Sequence, residues 1–246
     1  MMAAILIDSV TKLFGEKIAV DRLSLQIEKG RIFAFLGPNG SGKTTTIKMM
    51  VGLMRPTAGR ILIGGVDLAA DHIAAKRMFA YVPDQPYLYD KLSGTEFLKF
   101  VSRMYGLDSA STRAAIEKYV SIFEMGEYIG HLVETYSQGM RQRLTLTSAL
   151  MRDPEILILD EPLVGLDPHS MRLVKNILRE SAAAKKMTVF MSTHLLSIAE
   201  ETADEIGIIL EGKLLARGDF AGLRAQFSEG GNLENVYMKI VDGQAR

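Results

Sequence analysis

One stretch, Gly37-Pro38-Asn39-Gly40-Ser41-Gly42-Lys43-Thr44, constrains this chain more than any other. It fits the phosphate-binding loop pattern G-x-x-x-x-G-K-[ST]. Residues 31–36 before it read as a buried strand, and residues 45–51 after it as a helix that stops near Gly52. A strand, a glycine-rich turn and a helix is the setting in which this pattern binds phosphate. The glycines let the backbone turn tightly, so that several N–H groups converge on one point. The helix N-terminus adds partial positive charge there. Lys43 supplies a full charge for the β- and γ-phosphates of a nucleotide, and the Thr44 hydroxyl is a natural Mg²⁺ ligand. A chain built around this loop is an α/β P-loop fold.

The rest of the sequence is consistent with that start. Its 246 residues bury a sizeable core, as one large domain or a domain with an inserted lobe. Lys plus Arg equals Asp plus Glu, so formal net charge is zero and general attraction to nucleic acid is not indicated. With no Cys there is neither a disulfide framework nor a thiolate metal site, which suits a reducing compartment. The first residues lack the basic start and apolar run of a secretory signal. No apolar run approaches the ~20 residues of a membrane span. The expectation is a soluble chain; if it acts at a membrane, another polypeptide does the crossing.

Along the chain, residues 5–29 read as short strands, with further strands at 60–63 and 78–82. The character changes near Tyr87. From Ser93 to Asp153 the spacing is helical, beginning with Ser93 and Glu96 at capping-box distance. Phe97, Phe100, Val101 and Met104 fall on one helical face, and two more helices are expected over 111–123 and 137–151. Residues 156–159 are a continuous apolar run, as in a strand buried on both faces. A helix follows from Pro168 to about Lys186, then a strand at 188–192, a helix at 195–204 and a hairpin through Glu211-Gly212. The tail holds a short helix from Phe220, a flexible segment at 228–232 and a last element at 233–240. The expected organisation is an α/β core of residues 1–86 and 154–218, with antiparallel β structure near the N-terminus. A helical subdomain at 87–153 and a C-terminal extension at 219–246 complete it.

Asp160 and Glu161 close the apolar run. In open α/β sheets that edge binds ligands. An acid there can hold Mg²⁺, and a second acid beside it can orient and deprotonate an attacking water. Pro162 biases Glu161 toward extended backbone and ends the strand.

With both acidic residues in place, the chain resembles the nucleotide-binding subunit of an ABC transporter over residues 5–218. The motifs stand in the family's order. Residues 37–44 match Walker A, and 156–160 with Glu161 match Walker B and the catalytic glutamate. Tyr136-Ser137-Gln138-Gly139-Met140 resembles the signature usually written L-S-G-G-Q, keeping Ser137 and Gly139 and departing at the other three positions. Gly165-Leu166-Asp167 resembles the D-loop, and Ser192-Thr193-His194 the switch histidine.

The resemblance implies Mg²⁺-dependent hydrolysis of ATP. Glu161, His194 and Lys43 would act on the γ-phosphate, with Thr44 and Asp160 on the metal. The nucleotide contacts would comprise Gly37, Pro38, Asn39, Gly40, Ser41, Gly42, Lys43, Thr44 and Thr45. Phe14 sits where the family puts an adenine-stacking aromatic. Two subunits, identical or different, would meet head to tail, with Ser137, Gly139 and Asp167 acting across the interface. Residue by residue, Ser137 also suits a helix cap, and Asp167 an N-cap for the helix opened by Pro168.

The Q-loop departs from pattern. Families often read V-P-Q, whereas this chain has Val82-Pro83-Asp84-Gln85. Strict alignment gives the glutamine's place to Asp84; either side chain could reach Mg²⁺ or the lytic water, and Gln85 is favoured here as the catalytic and metal residue. The segment 85–89 would touch an integral membrane permease, unless its tyrosines pack the helical lobe instead. Residues 233–240 and the signature are similar to those of exporter-type (ABC-2-like) subunits. That implies a peripheral protein on the cytoplasmic face of the cell membrane, powering export. The alternative is a soluble ABC ATPase driving assembly, for example of iron–sulfur type.

Overall fold

The computed structural model describes residues 3–184, 187–227 and 232–244. Two sheets form its frame. The smaller is antiparallel, in order β2-β1-β4-β5: β1 (Ala3–Phe14), β2 (Lys17–Glu28), β4 (Ala58–Ile63) and β5 (Val66–Asp67). The larger runs β10-β9-β3-β8-β7-β6: β3 (Ile32–Leu36), β6 (Phe79–Val82), β7 (Ile156–Asp160), β8 (Thr188–Thr193), β9 (Glu205–Leu210) and β10 (Lys213–Gly218). Its strands are parallel except β10, which returns antiparallel on β9. The N-terminal strands are longer than expected, forming one hairpin of two twelve-residue strands turned at Gly15-Glu16.

Period-two side-chain alternation explains why β3, β7 and β8 are apolar throughout. Phe33, Phe35, Ile156, Ile158 and Phe190 face one core, shared with helix α1 (Lys43–Met50) and the antiparallel sheet. Ile32, Ala34, Leu36, Leu157, Leu159, Val189 and Met191 face the other. That second core is closed by α6 (Pro168–Ala183), α7 (Leu196–Thr202) and two tail helices, α8 (Phe220–Phe227) and α9 (Leu233–Gln244). The expected end of α6 near Lys186 lies outside the described residues, as do residues 228–231 of the expected flexible segment. A helix not expected, α2 (His72–Arg77), is capped by Asp71.

Between β6 and β7 the chain is helical: α3 (Gly94–Met104), α4 (Ser109–Ile122) and α5 (Gln138–Leu150). Ser93 and Glu96 form the capping box of α3. Phe97, Leu98, Val133, Tyr136 and Leu144 make a separate small core. The α3 stripe divides differently from its spacing: Phe97 is buried, while Phe100 and Met104 are 39% and 68% exposed. Among the described residues no helix is long and apolar enough to cross a membrane.

Candidate active site

The C-terminal ends of β3, β8, β7 and β6 lie side by side, and the loops leaving them build the site. The first loop runs from β3 into α1. Gly42, at φ 111°, holds the left-handed backbone that lets α1 start at Lys43. A Cβ there would lie 2.7 Å from the Ala19 carbonyl oxygen, so the loop fits only without a side chain.

Lys43 is buried, and its Nζ donates to the carbonyls of Gly37 at 2.7 Å and Pro38 at 3.2 Å. Burial pushes its pKa down, against the opposing pull of Glu161 and Asp160. Ser41 Oγ, in the same loop, is buried without a hydrogen-bond partner among the described residues.

Asp160 closes β7 and is 1% exposed. Its Oδ1 accepts from Ser192 Oγ at 2.6 Å and Thr44 Oγ1 at 3.4 Å. Burial raises its pKa, while those two hydroxyls pull it back. Glu161 follows at φ 49°, a strained position for a non-glycine residue; the extended backbone expected ahead of Pro162 is not adopted. The Ser192 hydroxyl and carbonyl both accept from its N–H, fixing the turn. The carboxylate is thereby placed 3.8 Å from Lys43 Nζ and 2.9 Å from His194 Nδ1. His194 reaches it because β8 ends at Thr193, beside β7.

Lys43, Thr44 and Glu161 border a cleft of about 960 Å³, while Asp160 and His194 stand behind its lining. Of the expected nucleotide contacts Phe14, Asn39, Gly40, Gly42, Lys43, Thr44 and Thr45 line it, with the expected catalytic Glu161, while Gly37, Pro38 and Ser41 do not. Phe14 is half exposed, with Lys12 Nζ 5.3 Å from its ring centroid. Asp84 lines the cleft and Gln85 does not. β6 ends at Val82, paired with Leu159 of β7, two residues before Asp84. The far wall, with Lys17, Ile18, Ala19, Asp21, Glu211 and Lys213, went unread in the sequence. Those residues come from two distant turns, and only the isolated Ile18, half exposed, would have hinted at an apolar face beside Phe14.

Ser137, Gly139 and Asp167 do not line this cleft. Ser137 Oγ accepts from Met140 N at 3.3 Å and caps α5. Asp167 caps α6 and accepts from Arg143 at 2.5 Å; bonds from Ser170 and then Arg143 hold its carboxyl well below the usual range. Gln142 donates to the Pro162 carbonyl at 2.9 Å, and the Gln138 side chain covers Gly165. The start of α5 and the loop after β7 are thus joined by three side chains.

No group of three or more His, Asp or Glu side chains among the described residues could enclose a metal ion. Thr44 and Asp160 offer one hydroxyl and one carboxylate, the donor set of an ion that brings phosphate oxygens and water with it, as Mg²⁺ does.

The model of the family described as ABC transporter matches residues 20–164, which spans the phosphate loop, the α5 capping serine and Asp160-Glu161. The chain belongs to the ABC transporter family. An ABC transporter ATP-binding protein of Bacillus subtilis (strain 168), YhcH, is 40% identical over 87% of this chain and 70% of its own length. The bacitracin transport ATP-binding protein BcrA of Bacillus licheniformis is 37% identical over 87% of this chain and 69% of its own. A solved ATP-binding subunit of an ABC transporter superposes with a TM-score of 0.92 at 30% identity, over 97% of this chain and 99% of that one. As an ABC ATP-binding subunit, the chain is an ATPase.

Proposed function

We propose that the chain hydrolyses ATP with Mg²⁺ to drive export through a separate membrane permease. The observation that carries the chemistry is Glu161, held between Lys43 and His194 at the mouth of the phosphate loop. The loop's N–H groups, Ser41 and Lys43 bind the β- and γ-phosphates. Thr44 and Asp160 would hold the Mg²⁺, which would neutralise phosphate charge. Glu161 takes the proton of a water in line with the γ-phosphate, and His194 donates to the γ-phosphate oxygens as charge develops there. Phe14 and Ile18 offer the adenine an apolar face.

The signature supports a dimer reading. Ser137 and Gly139 stand outside their own chain's cleft, at the exposed start of α5, where a second subunit's γ-phosphate would find a hydroxyl and a helix N-terminus. Asp167, tied to α5 through Arg143, would move with it. Export is the direction favoured by relatives, one of which is named a Nod factor export ATP-binding protein. The permease would hold this subunit at the cytoplasmic face of the membrane. The domain reading is an α/β core of 1–86 and 154–218, with 87–153 as the helical subdomain and 219–246 as an extension.

The test is Glu161→Gln. Hydrolysis should fall at least ~100-fold, the usual worth of a general base, while ATP binding persists. Light scattering should show a dimer only with ATP. A variant that stays monomeric at saturating ATP and Mg²⁺ would count against the sandwich. Affinity capture from detergent-solubilised membranes should return a multi-span partner; a soluble partner alone would move the function to the assembly class.

A further inference from the structure

A second cavity, of about 240 Å³, lies between the end of α1, β4 and α2 and shares no residue with the nucleotide cleft. Its apolar lining comes from Met49, Met54, Ile61 and Leu68, three of them buried in the core beneath. Its charged and titratable lining is Arg55, Arg60, His72 and Lys76, with no carboxylate among them. The Lys76 stem lies along the turn after α1: a Cβ at Gly52 would meet its Cε at 3.2 Å. The stem thus covers apolar surface while the ammonium stays at the rim.

Three acids stand on the surrounding elements, and none lines the cavity. Asp8 takes Arg60 at 3.0 Å, Asp67 accepts from the Ala69 N–H at 2.8 Å, and Asp71 caps α2 through the Ala74 N–H. Arg55 and Lys76 have no acidic partner within 4.0 Å among the described residues. The last carbonyls of α1, those of Ile47, Lys48 and Met49, accept from N–H groups of the turn that follows, which occupies them as competing acceptors. Next in the chain to two lining residues, Gly52 and His72, stand Leu53 and Ile73, 65% and 58% exposed.

An apolar floor, a cationic rim and exposed aliphatic side chains beside it complement an anion that carries hydrocarbon. Protein partners are more often anchored by aromatic side chains, and none lines this cavity. We propose that the cavity binds the headgroup of an anionic phospholipid in the leaflet that faces this subunit. Arg55 and Lys76 pair with the phosphate, and Leu53 and Ile73 enter the boundary between headgroups and acyl chains. This rests on the reading of the chain as a subunit held at a membrane.

The experiment is flotation of the purified chain with vesicles of phosphatidylcholine alone, or of phosphatidylcholine and phosphatidylglycerol in equal parts. Wild type should float with the mixed vesicles only. Arg55→Gln with Lys76→Gln should lower that partitioning about 10- to 30-fold, the worth of two basic residues at an anionic surface. Arg113→Gln with Lys118→Gln, exposed on α4, changes net charge equally and should keep the wild-type value. Leu53→Ser with Ile73→Ser should also weaken flotation, which a site for free phosphate would not show. All these positions are exposed, so the variants keep their fold. A wild type that does not float, or an equal loss in the α4 variant, overturns the proposal and leaves the ATPase and its permease untouched. Loss of permease capture in Arg55→Gln with Lys76→Gln, with flotation retained, gives the cavity to the protein partner and also overturns it. A wild type that neither floats nor captures a permease overturns the membrane reading as well.

Discussion

Lys43 shows how one side chain can be placed for a ligand at some expense to the fold. Its ammonium is buried between two carbonyls and 3.8 Å from Glu161, and burial works against its charge. Replacing it with an apolar chain of similar length removes that desolvation penalty and leaves Glu161 its bond to His194. Lys43→Met should therefore lose ATP affinity by roughly 10- to 100-fold, the worth of a charge-assisted hydrogen bond. Its nucleotide-free melting temperature should not fall. Calorimetric titration and thermal unfolding check both halves, and a drop of several degrees without nucleotide would refute the second. Gly37 works the other way: a Cβ there would lie 2.4 Å from the Ile209 carbonyl oxygen. Gly37→Ala should destabilise the protein by about 1–3 kcal/mol, the usual penalty of overpacking, as read by urea unfolding.

At the scale of elements, the join between α5 and the loop after β7 is the feature with a measurable pH signature. Asp167 caps α6 and pairs with Arg143 on α5. Its folded pKa lies below the ordinary aspartate value, so its contribution is full above the unfolded pKa near ~4 and is lost as pH falls through the folded value. Asp167→Ala should cost about 1 kcal/mol at pH 7, and the gap to wild type should narrow as pH drops below ~4. Urea unfolding at both pH values tests the sign; a gap that widened in acid would contradict it.

Elements also differ in how plainly the sequence announced them. The parallel strands were legible because both faces are buried, leaving no polar position to blur the run. The phosphate loop and Asp160-Glu161 were legible because their chemistry is local. Helix α2 was not, since six residues with one buried alanine carry no periodicity. The cleft's far wall was not, because Lys17 and Lys213 meet only through the pairing of two sheets. Asp84 and Gln85 were not told apart, since they differ by a single residue past Val82, which no spacing rule resolves.

For the whole molecule, the clearest unfinished surface lies where the cleft meets the helical lobe. Tyr87 is 87% exposed, Tyr89 57% and Met104 68%. Tyr89 sets its ring edge-on against Phe100 with centroids 5.2 Å apart, and Met104 follows Phe100 one helical turn later. Tyr89 therefore partly packs the lobe, while Tyr87 touches little of it. Exposed aromatics grouped on one face are what an interface uses as anchors. The segment that presents Tyr87 and Tyr89 begins at Asp84, on the cleft wall, so a permease docked at Tyr87 would be three residues along the chain from that wall. Tyr87→Ala with Tyr89→Ala should weaken capture of the membrane partner by at least ~10-fold, the cost of losing one anchor. ATP affinity should stay unchanged, since neither ring lines the cleft. Capture from solubilised membranes and calorimetry on the same preparation separate the two effects. Equal capture by wild type and variant would move the docking face elsewhere. A parallel loss of ATP affinity would instead mean that the segment supports the cleft and not the partner.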